Sequence, residues 1–437
     1  MNFSTLRPRG FLKNVFLVMS GTAVAQAIGF LVSPVLTRLY SPSDFGLAAC
    51  YLSIVAVISA GVTLQYPQAL IIPGDARKAG LLFLASCIAT IGIALLVLLL
   101  CVTLPGFFSS VFKASGFGRL IYLVPLGILI TGINQTFIAW CLRKKAFGYT
   151  AKAQVASSLT KSVAQICGGF VGLGAGGFII GSMLGDAAVN LLLLRRIVRD
   201  DGPMLGESLR SGEVLAASRE YKDFPLYSTP QNVLNAVSAG APVILLSHYY
   251  GIAVGGFYAF ATRILEAPMR LALGSLRQVL FQKISEINNK GDELTPIFGK
   301  CTNGLFLGVI GPAVIGFIFA PRVFALVFGK QWYEAGEYAQ WLLVWFIPAF
   351  CNLPAALVLR VLRYQRSLLV FDSALLVGRV LVLVIGTACK ASPLATIIAF
   401  SCLGAAFEAW LIWYGWRVLR SRCSMATEFS PVPSIDC

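Results

Sequence analysis

The chain has 437 residues, of which 57% are hydrophobic and only 12% charged, too little polar surface to coat a soluble protein of this length. Its 35 Lys and Arg outnumber 19 Asp and Glu for a net charge of +16, but they lie between apolar runs and not in one patch or tail, so no nucleic-acid partner is predicted. One histidine, His248, and eleven cysteines without a CxxC pair argue against a metal site, a disulfide framework and any metal-dependent chemistry, and no cofactor is predicted.

A membrane-spanning helix needs about 20 mostly apolar residues. Apolar runs between polar breaks predict about twelve, near 14–36, 46–66, 79–104, 118–141, 153–174, 177–194, 226–249, 253–278, 301–320, 338–359, 368–389 and 393–416. Arg7, Arg9 and the later Ala23-Val24-Ala25 mimic a secretory signal. The apolar stretch continues to Leu36, however, and a second span follows at once, so a retained first helix is expected.

The basic residues fall on one side of this pattern. With a cytoplasmic N-terminus, 25 of the 35 face the cytoplasm, 6 face outward (Arg38, Lys113, Arg119, Arg322, Lys330 and Lys390), and 4 (Lys161, Arg263, Arg270 and Arg379) lie inside spans. The positive-inside rule then places both termini in the cytoplasm.

The longest interior polar segment, about Arg195 to Asp223, divides the spans into two sets of six. An even number per half gives both halves one orientation, so parallel repeats are predicted. Tyr40-Ser41 and Gly46-Leu47 match Tyr250-Gly251 and Gly256-Phe257 at one offset of 210 (250 − 40 and 256 − 46). Pro34 and Pro242 lie at nearly the same spacing, Lys161 pairs with Arg379, and the Arg143-Lys144-Lys145 loop pairs with Arg363 and Arg366. The expected architecture is all-α: residues 1–200 form one six-helix bundle, 201–222 a cytoplasmic linker, 223–418 a second bundle about a central cavity, and 419–437 a disordered tail.

The eighth span concentrates charge. Arg263, Glu266, Arg270 and Arg277 are spaced to share one helix face, a ladder roughly 21 Å long at about 1.5 Å per residue. Charge at that depth costs several kcal/mol unless it meets water or partners. With Lys161 and Arg379 the ladder predicts cationic walls suited to a phosphate-bearing ligand. Asp186, Asp372 and Glu408, with Glu266, are candidates for ion coupling or counter-charge.

Phe11-Leu-Lys-Asn14, Ser20-Gly21-Thr22, Ala25-Gln26 and Pro34-Val-Leu-Thr-Arg38-Leu-Tyr40-Ser-Pro42-Ser-Asp44-Phe-Gly46 resemble the first helix and loop of the polysaccharide transporter family. Tyr221-Lys-Asp223-Phe-Pro225-Leu-Tyr-Ser228-Thr-Pro230, Gly256-Phe-Tyr258-Ala-Phe-Ala-Thr-Arg263 and Phe328-Gly329-Lys-Gln-Trp332-Tyr-Glu-Ala335-Gly336-Glu-Tyr338 resemble that family's second half in order and spacing. The family contains the Wzx-type O-antigen flippases of the multidrug/oligosaccharidyl-lipid/polysaccharide superfamily.

The resemblance implies a V-shaped inner-membrane transporter that flips undecaprenyl-pyrophosphate-linked oligosaccharide to the periplasmic leaflet. Its implied partners are that lipid-linked substrate, membrane lipids, and the polysaccharide polymerase and chain-length machinery. Arg38 and Arg263 match family motifs, whereas Tyr66-Pro67-Gln68-Ala69 stands where related sequences read Tyr-Glu-x-Ala. A multidrug exporter of the same superfamily shares the expected fold, but such exporters favour acidic cavities for cationic drugs. A membrane polymerase or ligase is disfavoured because the longest loop here is cytoplasmic.

Overall fold

Backbone groups exposed to hydrocarbon cost several kcal/mol each, so a spanning segment satisfies its own hydrogen bonds as a helix. The computed structural model describes residues 8–104, 117–210, 213–290, 292–362 and 364–428, and among these all regular structure is helical. The first half comprises α1 (Pro8–Leu39), α2 (Pro42–Val62), the single turn α3 (Tyr66–Ala69), α4 (Ala76–Thr103), the short α5 (Phe117–Leu120), α6 (Val124–Arg143), α7 (Phe147–Phe170), α8 (Gly174–Arg210) and α9 (Val214–Glu220). The second comprises α10 (Thr229–Tyr250), α11 (Ile252–Lys290), α12 (Thr295–Phe328), α13 (Tyr333–Cys351), α14 (Leu353–Val361), α15 (Gln365–Ala388) and α16 (Pro393–Glu428).

Nine helical segments among the described residues are long and apolar enough to cross a bilayer. Three further long helices, α7, α10 and α11, complete the twelve predicted spans. They are the more polar ones: α7 contains Lys152 and Lys161, α10 contains three asparagine or glutamine residues and His248, and α11 contains the charge ladder.

By internal contacts the chain forms two units, Met1–Ala259 with Val327–Gln331, and Phe260–Leu326 with Trp332–Cys437. In the first, α7 packs along both α1 and α8, and α10 packs along α2. Phe83 and Phe137 stack at 5.8 Å in its core, with the Trp140 ring edge-on to Phe83 at 5.2 Å. In the second, α16 packs on α13 and α15, and Phe371 stacks on Trp410 at 5.9 Å.

The Tyr40-Ser41-Pro42-Ser43-Asp44-Phe45-Gly46 corner has a structural explanation at most positions. Ser41 Oγ accepts from the Asp44 N–H at 3.2 Å while Asp44 accepts from the Ser41 N–H at 3.0 Å, a capping box, and Pro42 opens α2. The other Asp44 oxygen accepts from the Ala175 N–H at 3.0 Å, tying the starts of α2 and α8. Tyr40 donates to the Gln165 carbonyl at 2.6 Å; burial and the Asp44 charge push its phenol up to about 12, so it remains a donor. A Cβ on Gly46 would lie 1.9 Å from the Ile252 carbonyl oxygen, and one on Gly256 would lie 2.0 Å from that of Pro42. These reciprocal contacts keep the predicted offset of 210 (256 − 46 and 252 − 42).

A second offset, 218, relates α6–α8 to α13–α16. Ala146 N–H donates to the Cys141 carbonyl at 2.9 Å and Tyr364 to Leu359 at 2.8 Å; Leu173 donates to Gly168 at 3.0 Å and Ala391 to Gly386 at 2.9 Å. Each closes a helix C-terminus at the same repeat position.

Helix extends into two polar segments. The segment expected as a linker from 201 is helical through Arg210 and again in α9. Its charges are paired, with Lys144 2.5 Å and the Trp140 indole 2.9 Å from Asp201, and Arg77 3.2 Å from Glu213. The tail expected to be disordered from 419 is helical to Glu428. Arg417 lies over the Trp413 ring at 5.4 Å and Arg420 over Trp416 at 4.4 Å, i,i+4 cation–π pairs that favour helix at a membrane border. Residues 429–437 lie outside the described residues, as does Arg363 of the predicted basic pair.

Candidate functional site

In the first unit, two neighbouring helices bring opposite charges together. A Cβ on Gly185 would lie 2.7 Å from Lys161 Cβ, so the glycine lets α8 approach α7 closely at this level. Lys161 and Asp186, both half-buried, are within electrostatic reach of each other. One turn further along α8, Asn190 accepts from the Asn134 side-chain amide at 3.0 Å and donates to the Ile130 carbonyl at 2.9 Å.

The second unit holds the related set. Arg379 of α15 lies with its guanidinium 4.1 Å from the Trp345 ring centre and 5.2 Å from that of Phe400. Its charge reaches Glu408 of α16, which is only 7% exposed and accepts a hydrogen bond from Asn352. Gly404 makes room for the indole, since a Cβ there would lie 2.8 Å from Trp345 Cδ1. Asp372, two turns from Arg379 on the exposed side of α15, lies within electrostatic reach of Arg360 and Arg379. A buried ion pair of this kind loses much of its Coulomb gain to desolvation. Flanking aromatic faces and an amide donor reduce that loss.

The ladder on α11 divides into different environments. Glu266 and Arg270 form an i,i+4 ion pair. They line a pocket of about 380 Å³ with Arg277, Met269, Leu273, Gly274 and Phe346. Arg263, half-buried one turn before the pair, makes no ion pair among the described residues. Arg38 is exposed at the end of α1 and likewise makes none. The structure therefore brings together Lys161 with Asp186, Arg379 with Glu408 and Asp372, and Glu266 with Arg270.

Several polar residues had no role in the sequence reading. Asn134, Asn190 and Asn352 carry no charge to mark them, although the 218 offset links Asn134 to Asn352 and Asn190 to Glu408. Arg143 enters the sequence reading as a positive-inside charge and as part of a repeated basic loop. Its guanidinium donates to the carbonyls of Leu70 at 3.0 Å, Pro73 at 2.6 Å and Asp75 at 3.2 Å, and so holds the loop between α3 and α4. That loop follows the divergent Tyr66-Pro67-Gln68-Ala69 turn, where Gln68 donates to Gln65 at 2.8 Å.

An all-helical polytopic chain built from sequence-related halves, with charged residues inside its spans, has the construction of membrane transporters. The family model of polysaccharide biosynthesis proteins matches residues 35–337, and the chain belongs to that family. The fold is similar to that of the lipid II flippase MurJ in an inward closed conformation, with TM-score 0.71 and 12% identity over 95% of this chain and 94% of that one. It is also similar to an inward-facing multidrug resistance MATE family transporter of the MOP superfamily, with TM-score 0.67 and 13% identity over 95% and 100%. A third similar structure is a MOP superfamily transporter from Pyrococcus furiosus whose binding pocket is described as having reverse polarity, with TM-score 0.59 and 13% identity over 94% and 96%. No curated protein sequence matches the chain. The protein is thus a multi-pass membrane protein of the polysaccharide biosynthesis family with the MOP transporter fold.

Proposed function

We propose that the protein is a flippase that moves undecaprenyl-pyrophosphate-linked oligosaccharide, an O-antigen or exopolysaccharide repeat unit, across the inner membrane by alternating access. The observation that carries the reading is the cationic face of α11: Arg270 and Arg277 line one pocket, with Arg263 unpaired by any carboxylate among the described residues. Paired guanidinium donors match phosphate oxygens, and the family match supplies a polysaccharide context. In this reading Arg38, Lys161, Arg263, Arg270 and Arg379 are the substrate-binding cations. Asp186, Glu266, Asp372 and Glu408 hold counter-charge or couple transport to an ion.

The test is deletion followed by complementation in a strain lacking its own transporter, supplied with defined lipid-linked substrates. Loss of the protein should leave undecaprenyl-linked repeat units on the cytoplasmic leaflet and deplete surface polysaccharide. Unchanged surface polysaccharide with heightened sensitivity to cationic drugs would instead identify an exporter.

A further inference from the structure

An apolar groove of about 840 Å³ lies between α11, α12 and α13 of the second unit. Its walls include Pro268, Met269, Gly308, Pro312, Phe319 and Phe346, and no lining residue carries a polar side chain. Gly304, Gly308, Pro312 and Gly316 recur at four-residue steps on α12, giving the groove a floor without bulk. Close helix packing does not explain the first two of these glycines. A Cβ on Gly304 or Gly308 would meet no atom within 4 Å, whereas one on Gly316 would already lie 3.0 Å from Leu343.

The groove runs along α12 from Gly304 to Phe324, roughly 30 Å at about 1.5 Å per residue, which is close to the thickness of a bilayer's hydrocarbon core. Met269 and Phe346 also wall the pocket that contains Arg270 and Arg277. A long apolar slot and a cationic pocket therefore share a partition. That arrangement is complementary to a long hydrocarbon chain ending in phosphate, since burial of methyl-branched chain favours the slot and charge favours the pocket.

We propose that this groove seats the isoprenoid chain of the polyprenyl pyrophosphate carrier, with the pyrophosphate beside Arg270 and Arg277. The proposal rests on the flippase reading and adds to it that the protein, and not the bilayer alone, holds the lipid tail. Branch methyls enter the space left by Gly304 and Gly308, and Pro312 keeps the floor rigid.

The experiment uses the full-length protein in lipid nanodiscs and a polyprenyl pyrophosphate bearing a diazirine in its chain. Adducts are expected on α11, α12 and α13 around Met269 and Phe319. Gly304→Leu/Gly308→Leu, whose Cβ atoms would meet nothing within 4 Å and whose side chains enter the groove, should weaken labelling about tenfold and leave thermal stability unchanged. Gly308→Leu alone is read in the same way if the double variant does not purify. Undiminished labelling in the variant, or equal labelling of wild type by diazirine-bearing phosphatidylglycerol, overturns the groove assignment. Complementation separates the two ideas: a wild-type protein that restores surface polysaccharide while the groove results are negative leaves the flippase reading standing, and a wild type that fails to restore it removes that reading whatever the labelling shows.

Discussion

Asn352 donates its side-chain amide to Glu408, and Asn134 donates to Asn190 one repeat earlier, both pairs at an offset of 218 (352 − 134 and 408 − 190). One half thus has an amide where the other has a carboxylate beside Arg379. The same contact geometry accommodates both, so the charge at 408 serves Arg379 and not the helix pairing as such.

This relationship ranks two substitutions. Glu408→Ala leaves Arg379 without its buried counter-charge and should destabilise the protein by about 3–5 kcal/mol. Glu408→Gln also removes the counter-charge but reproduces the amide chemistry of Asn190 and keeps the Asn352 contact, so it should cost less than the alanine by about the 1 kcal/mol of that hydrogen bond. Thermal unfolding in detergent compares them. Equal losses for both would show that the carboxylate charge, and not the amide-compatible contact, dominates the site.

What the sequence makes legible follows from how each feature is encoded. Hydropathy marks a span because twenty apolar residues cannot be hidden in a short loop, and each of the twelve predicted runs is mostly helical. Gly46 and Gly256 were visible as a repeat because their neighbours also match. The neutral amides were not, since Asn134, Asn190 and Asn352 leave no mark in charge or periodicity. The pairing of Asp201 is illegible for a related reason, because it meets Lys144 and Trp140 only once α6 and α8 have packed.

Gly46 and Gly256 should tolerate no side chain. Their hypothetical Cβ atoms fall at 1.9 Å and 2.0 Å from backbone oxygens, which cannot rotate away as a side chain could. Gly46→Val and Gly256→Val should each cost at least the ~1–3 kcal/mol of ordinary overpacking and reduce the yield of folded protein. Gly74→Ala is the control, because its Cβ meets nothing within 4 Å. Size-exclusion profiles of the solubilised variants would report the difference.

Arg143 separates topology from loop order. Arg143→Lys keeps the cytoplasmic charge, so orientation should not change. A lysine ammonium cannot reproduce the guanidinium fork across the Leu70, Pro73 and Asp75 carbonyls, and loss of those bonds should cost about 1–3 kcal/mol. Cysteines introduced at 72 and 74 should then label faster. Unchanged labelling together with unchanged stability would show that the staple is dispensable.

The distribution of 25 basic residues against 6 fixes a second labelling prediction. In a background without native cysteines, probes at 205–215 should react from the cytoplasm and probes at 330–334 from the periplasm. The reverse pattern would invert the orientation.

The α11 ladder provides the sharpest separation of binding from folding. Arg270 and Glu266 side chains are 66% and 36% exposed, so their pair contributes under about 1 kcal/mol to stability. Arg270→Ala should therefore fold normally yet restore little surface polysaccharide, and Arg270→Lys should restore an intermediate amount because a point charge makes fewer paired phosphate contacts. On the proposed reading Glu266→Gln removes the carboxylate that would compete with phosphate for Arg270, so substrate binding should hold or tighten while stability barely changes. Arg263 has no such competitor, and Arg263→Ala should lose transport without a compensating variant at 266. Full complementation by both alanine variants would show that the cationic face does not hold the substrate.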